Sequence, residues 1–95
     1  MIEVSRTESG IIIKGHAGYS EPGKDIVCAG VSALVQTLIQ SVEELTDDKI
    51  SYSVYPGFTY IKFRNLSEKS KTLFDSFFIG VSMIAEEYPD NVRIA

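Results

Sequence analysis

The chain has 95 residues, of which 44% are hydrophobic and 23% are charged, and this composition predicts one soluble domain over residues 1–95 with a modest core. The net charge of −4 and the sequence pI of about 4.8 argue against general nucleic-acid binding, which needs a dense basic face. The single cysteine excludes an internal disulfide and favours a reducing, cytoplasmic setting, and we recognise no signal peptide and no apolar stretch long enough to span a membrane.

Two short runs at the start of the chain predict a β-hairpin. Residues 2–6 alternate between apolar and polar side chains, as a half-buried strand does. Residues 8–10 form a turn, and residues 11–15 form a second, β-branched strand. Residues 15–25 follow with three glycines and a proline, which predicts an irregular loop.

The apolar spacing changes to that of a helix at Ile26, and Asp25 is a natural N-cap for this helix. The predicted buried face consists of Val27, Val31, Leu34, Leu38, Val42 and Leu45. Residues 50–54 and 58–64 predict two further strands, which Pro56 and Gly57 join through a type II turn.

A second helix is predicted after residues 65–68, and Pro89 ends it. Its predicted buried face consists of Leu73, Phe77, Val81, Ile84 and Tyr88. Ile79 and Met83 form a second apolar stripe on this helix, which indicates burial by the sheet or by a partner chain. Residues 91–95 are a possible fifth strand. The order β-β-α-β-β-α(-β) predicts the α+β class, an antiparallel sheet of four to five strands with two helices packed mainly on one face.

Cys28 is the first candidate for chemistry. With Asp25 as the N-cap, Cys28 is the third residue of the helix, where free backbone N–H groups and the helix dipole favour a thiolate. The alternative is a small buried core cysteine, and position alone does not separate the two. A structural zinc site needs four Cys or His ligands, whereas this chain has one of each, so we expect no metal and no cofactor.

His16 is the only histidine, and it opens the glycine-rich loop. A loop with this composition can bring the end of a strand to the start of a helix, which would place the imidazole beside Cys28. A thiol and an imidazole are the minimum set for cysteine nucleophilic catalysis. His16 would then act as general base and acid, while amides of the first helical turn and of residues 15–18 bind the oxyanion. A surface or purely structural histidine is the alternative.

Asp25 and Ser32 each have two interpretations. Asp25 is a helix cap, a residue that orients His16, or both. Ser32 lies one turn after Cys28 on the same side of the helix, so it either forms a hydrogen bond near the sulfur or is a small packing residue. The sequence does not choose between these.

Two blocks of the chain, Gly-His-Ala-Gly-Tyr at residues 15–19 and Gly-Lys-Asp-Ile-Val-Cys-Ala-Gly-Val-Ser at residues 23–32, closely resemble the motif of the ribosomal-processing cysteine protease family, called Prp. That motif reads Gly-His-Ala, a short loop, then Gly-x-Asp-Ile-Val-Cys-Ala-x-Val-Ser. The chain matches every named position, and its length and element order also fit the family.

The resemblance implies an endopeptidase that removes an N-terminal extension, ending in an aromatic pair, from ribosomal large-subunit protein twenty-seven. It implies Cys28 as nucleophile and His16 as general base and acid, with Asp25 and Ser32 in supporting roles, and it implies a homodimer. The loop residues expected to contact substrate are Gly15, Ala17, Gly18, Tyr19 and Gly23. The aromatic side chains that would receive the aromatic pair, unless they serve only in packing, are Tyr19, Tyr55, Phe58 and Tyr60.

Two other functions compete with the protease. A non-catalytic, ribosome-associated module of the same fold would bind the same peptide without cleaving it. A thiol redox sensor is the weaker hypothesis, because the chain has no second cysteine to resolve an oxidised Cys28.

Overall fold

Five strands and two long helices follow one another in the predicted order in the computed structural model, which describes all 95 residues. The elements are β1 (Ile2–Arg6), β2 (Gly10–Lys14), α1 (Ile26–Leu45), β3 (Ile50–Tyr55), β4 (Phe58–Phe63), α2 (Glu68–Glu87) and β5 (Val92–Ile94). The helices begin after the N-caps Asp25 and Ser67, whose side chains accept hydrogen bonds from first-turn amides. The predicted α+β class is confirmed.

The sheet has the strand order β3-β4-β2-β1-β5. The pairs β1–β2, β2–β4 and β3–β4 are antiparallel, whereas β5 runs parallel to β1, so the sheet is mixed and not antiparallel throughout as predicted. The reason is that α2 is a crossover connection: it returns the chain along the sheet, so that the next strand runs in the direction of β4. Because β1 also runs in that direction, β5 pairs with β1 in parallel.

The core lies between one face of the sheet and the two helices, as predicted. The sheet contributes six isoleucine and valine side chains that are at most 7% exposed, namely Ile2, Val4, Ile11, Ile13, Ile61 and Val92. The inward side of α1 consists of Val27, Val31, Val35, Leu38, Ile39 and Val42. The buried residues of α2 are Ser70, Phe74, Phe77 and Val81. Burial of this apolar surface is the main favourable term in folding.

Both predicted helix faces were wrong in part. Leu45 is 61% exposed and Leu34 is half-buried, while Val35 and Ile39 lie in the core in their place. Leu34 packs instead against Gly80 of α2, where an added Cβ would come within 3.0 Å of the leucine side chain. The helix is therefore buried along two directions, towards the sheet and towards α2, which a single stripe of apolar residues does not describe.

On α2, the residues Leu73, Ile84 and Tyr88 are half-buried, and Phe74 is the fully buried aromatic residue. Ile79 and Met83 are 63% and 65% exposed, so the sheet does not cover the second apolar stripe.

The expectation that no apolar stretch is long enough to span a membrane does not hold for α1. By length and composition alone, α1 is apolar enough to cross a membrane, with a mean hydropathy of 1.5 over its most apolar window. Its inward side nevertheless packs in the core described above, which is also how the central helix of a soluble domain reaches such values.

Candidate active site

Asp25 connects the glycine-rich loop to the start of α1. Its Oδ1 accepts hydrogen bonds from the backbone N–H groups of Val27 and Cys28, both at 3.0 Å, so the predicted N-cap is confirmed. Its Oδ2 accepts from the amides of Tyr19 at 2.9 Å and Ser20 at 3.1 Å. The N–H of Cys28, followed by the three other amides, holds the pKa of Asp25 below its ordinary value of 3.8. The carboxylate therefore stays ionised and clamps the loop to the helix.

This arrangement separates the two interpretations of Asp25. All of its hydrogen bonds go to backbone amides, and none goes to His16. It also occupies the N–H groups of Val27 and Cys28, so these two amides of the first turn are not free to bind an oxyanion, contrary to our expectation.

Cys28 is the third residue of α1, as predicted, and its side chain is half-buried. The backbone N–H of Ala17 donates to Cys28 Sγ at 3.3 Å. An amide directed at sulfur places a partial positive charge against any negative charge that develops there. The Cys28 side chain packs against the core and also lines a cleft.

His16 lies at the end of β2 and is exposed. Its position depends on the turn between β3 and β4, where Gly57 has a φ of 75°, as the predicted type II turn requires. A Cβ added to Gly57 would come within 2.8 Å of His16 Nε2. The same turn is tied to the loop, because the N–H of Gly15 donates to the carbonyl of Gly57 at 2.8 Å. Gly57 therefore leaves room for the imidazole and fixes the turn beside it.

His16 and Cys28 line one cleft of about 280 Å³ between α1 and the β3–β4 hairpin. Three larger hollows on the surface, of about 450, 470 and 930 Å³, contain neither of these residues. The helix side of the cleft consists of Cys28, Val31, Ser32, Val35 and Gln36, and the hairpin side of residues 54–59. No three His, Cys, Asp or Glu side chains are grouped so that they could hold a metal ion.

Ser32, predicted to support the site, lines the cleft one turn from Cys28, but its hydroxyl forms no hydrogen bond with the sulfur. Of the loop residues predicted to contact substrate, Gly15 lines the cleft, whereas Ala17, Gly18, Tyr19 and Gly23 do not. Ala17 is buried, and the ring of Tyr19 packs edge-on against Tyr88 with centroids 5.2 Å apart. Among the candidate aromatic residues, Tyr55 and Phe58 line the cleft and Tyr60 does not.

Sequence reasoning missed three residues that shape this site, namely Gly57, Tyr88 and Asn91. Gly57 was recognised only as a turn residue. The side-chain amide of Asn91 donates to the carbonyl of Ala17 at 2.9 Å, across 74 positions of sequence. No local pattern links residues so far apart, although the Pro-Gly turn did indicate a fixed backbone near residue 57.

The geometry above brings together a thiol, an imidazole and an amide directed at the sulfur, which is the set that acyl transfer through a thioester needs. Comparison with known proteins points the same way. Residues 1–93 match the model of the family described as cysteine protease Prp.

Two relatives named ribosomal processing cysteine protease Prp are similar along most of the chain. The one from Staphylococcus aureus (strain Mu50 / ATCC 700699) is 30% identical over 88% of this chain and 82% of its own length. The one from Bacillus subtilis (strain 168) is 29% identical over 84% of this chain and 78% of its own length. A crystal structure of Prp from S. aureus, in complex with a covalently linked product peptide, superposes with a TM-score of 0.89 at 24% identity, covering 98% of this chain and 94% of that one.

Proposed function

This chain belongs to the cysteine protease Prp family, and we propose that it is an endopeptidase in which Cys28 is the nucleophile and His16 the general base and acid. The observation that carries the assignment is that these two side chains line one cleft, with the amide of Ala17 directed at Cys28 Sγ. The chain has one cysteine and one histidine, so no other pair of these residues competes for the two roles.

The reaction would proceed through an acyl-enzyme. His16 takes the proton of the Cys28 thiol. The resulting thiolate attacks the scissile carbonyl carbon, and the carbonyl oxygen takes up the negative charge. The tetrahedral intermediate collapses as the C–N bond breaks, and the amine leaves with a proton from His16. A water molecule, deprotonated by His16, then attacks the thioester and releases the new carboxylate and the thiolate. The Ala17 N–H donates to the sulfur, and in this mechanism it stabilises the negative charge on the sulfur and then on the oxyanion.

The substrate that we propose is the N-terminal extension of ribosomal large-subunit protein twenty-seven, cut after an aromatic pair, in the cytoplasm. Two features support this choice. The relatives from S. aureus and B. subtilis are named for ribosomal processing. Tyr55 and Phe58 line the cleft and are exposed, so they offer aromatic surface, while the net charge of −4 suits a basic peptide.

We also propose a homodimer, because the apolar stripe of Ile79 and Met83 is left uncovered by the sheet. Replacement of Met83 by glutamate puts a charge in that stripe. The expected result is a loss of the dimer in sedimentation velocity, and a sedimentation coefficient that does not change would contradict this interface.

A peptide-cleavage assay tests the proposed function directly. Its substrate is a synthetic N-terminal extension that carries the aromatic pair, and products are identified by mass spectrometry. The variant Cys28→Ala should cleave about a thousandfold more slowly or not at all, with an unchanged thermal unfolding midpoint. Equal rates for Cys28→Ala and the wild type would refute the mechanism. Tight binding of the peptide by the wild type without any cleavage would favour the binding module instead.

A further inference from the structure

Asn91 lies in the segment between α2 and β5, far from the catalytic loop in sequence but in contact with it in the fold. Its side-chain Nδ2 donates a hydrogen bond to the carbonyl oxygen of Ala17 at 2.9 Å. The N–H of the same alanine donates to Cys28 Sγ at 3.3 Å. Asn91 therefore binds the carbonyl of Ala17, and the N–H of Ala17 faces the thiol of Cys28.

The backbone of Asn91 is itself fixed on both sides. Its carbonyl accepts from the N–H of Ile2 at 2.8 Å, and its own N–H donates to the carbonyl of Tyr88 at 3.0 Å. Ile2 belongs to β1, and Tyr88 caps α2, so two regular elements hold the asparagine in place. The side-chain amide that donates to the loop thus belongs to a residue whose backbone is held by β1 and by the end of α2.

The loop has a second contact with the same segment, through the edge-on packing of Tyr19 against Tyr88. Ala17 between these contacts is only 2% exposed, so its methyl group is inside the protein. Its carbonyl accepts a side-chain hydrogen bond only from Asn91. The carbonyl and the N–H of Ala17 belong to adjacent peptide units that meet at its Cα. An unpaired carbonyl at a buried position costs free energy, so loss of this donor would favour a shift of the Ala17 backbone that also moves its N–H.

We propose that Asn91 is a positioning residue for the thiol chemistry of Cys28. It holds the backbone of Ala17 in place, so that the N–H of this residue points at Cys28 Sγ and stabilises negative charge that develops on the sulfur. The proposal rests on the proposed function, in which Cys28 is the nucleophile, but it concerns a residue that does not touch the substrate or the sulfur. It adds Asn91 to the residues on which the reactivity of the site depends.

Alkylation of Cys28 by iodoacetamide measures this reactivity without any need for peptide cleavage, because Cys28 is the only thiol in the chain. The rate is followed by mass spectrometry between pH 5 and pH 10 for the wild type, Asn91→Ala and Asn91→Asp. The aspartate variant keeps the size of the side chain but at neutral pH only accepts hydrogen bonds. Both variants should react about three- to tenfold more slowly at pH 7. In the cleavage assay, kcat should fall by a similar factor while KM changes little.

Asn65→Asp is the matched control, because it makes the same chemical change at the only other asparagine, just beyond β4 at the opposite end of the sheet. Its alkylation profile should equal that of the wild type. Thermal unfolding measurements first establish that both Asn91 variants are folded. The proposal is overturned if Cys28 in these variants is alkylated at the wild-type rate across the pH range. It is also overturned if cleavage falls while alkylation does not, since Asn91 would then act on the substrate. Failure of the proposed function looks different: the wild type would not cleave, yet its alkylation would still depend on Asn91.

Discussion

Asp25 before α1 and Asp48 just after it are both carboxylates that accept several hydrogen bonds. Asp25 accepts four from backbone amides, whereas Asp48 accepts from the N–H and hydroxyl of Ser67 and from the hydroxyl of Ser70. The pKa of each is lowered from 3.8, mainly by the Cys28 N–H at Asp25 and by the Ser67 hydroxyl at Asp48. Judged by protonation alone, the two ends of the helix are alike.

The two ends differ in what lies beside the carboxylate. Around Asp48 there are hydroxyl groups that join the end of α1 to the start of α2, and Thr46 and Ser70 complete the cluster. Around Asp25 there is a loop that carries an imidazole and an amide to a thiol. A lowered carboxylate pKa therefore reports good hydrogen bonding at both ends, and only the thiol and the imidazole that line one cleft distinguish the candidate active site.

The largest expected difference between the two ends comes from His16. Replacement by glutamine removes the proposed base and acid beside the start of α1 and should lower kcat/KM for the aromatic-pair peptide by about a hundredfold to ten thousandfold. Because His16 is exposed, the thermal unfolding midpoint should change little. A cleavage rate within tenfold of the wild type would show that His16 is not the base.

A matched pair of aspartate substitutions compares the two ends directly. Asp25→Ala releases the loop amides of Tyr19 and Ser20, so kcat/KM should fall by about tenfold or more. Asp48→Ala makes the same change at the other end of α1 and should leave kcat/KM unaltered at 25 °C. If both variants lose activity equally, the distinction between the two ends is wrong.

Ser70 tests whether the far end is structural. It is fully buried and donates to Asp48, so Ser70→Ala should destabilise the fold by about 1–2 kcal/mol without changing the cleavage rate. For a domain of this size, each kcal/mol lowers Tm by about 4–8 °C in differential scanning calorimetry. Ser76→Ala, an exposed serine of the same helix with no side-chain hydrogen bond, is the control and should keep the wild-type Tm.

The smallest expected effect is in the dependence of stability on pH. Since the folded pKa of Asp48 is depressed, its contribution to stability is present above the ordinary value of 3.8 and is lost as the pH falls through the lowered value. The Tm difference between the wild type and Asp48→Asn should therefore be constant from pH 7 to about pH 5 and shrink below 3.8. Asp47→Asn, at an exposed neighbour that accepts no hydrogen bond, should show no such trend. A difference that grows on acidification would contradict the assignment.

Local patterns were sufficient for most of the fold. The alternation at residues 2–6, the spacing that starts at Ile26 and the Pro56-Gly57 turn are properties of neighbouring residues, so they predicted the elements and the cap at Asp25. They did not predict the direction of β5, because that follows from the path of α2 over the sheet. They also failed at Leu45, since the burial of a helix end depends on what packs beside it.

For the candidate site, the sequence supplied the candidate groups: one thiol in the first turn of a helix, one imidazole just beyond a strand, and a family motif that contains both. The tertiary structure decided the environment. It showed that Asp25 accepts hydrogen bonds from four backbone amides and none from His16. It also showed that Gly57 leaves room for the imidazole and that the Asn91 side chain donates to the Ala17 carbonyl. These contacts join segments up to 74 positions apart, and only the packed chain brings such segments within hydrogen-bonding distance.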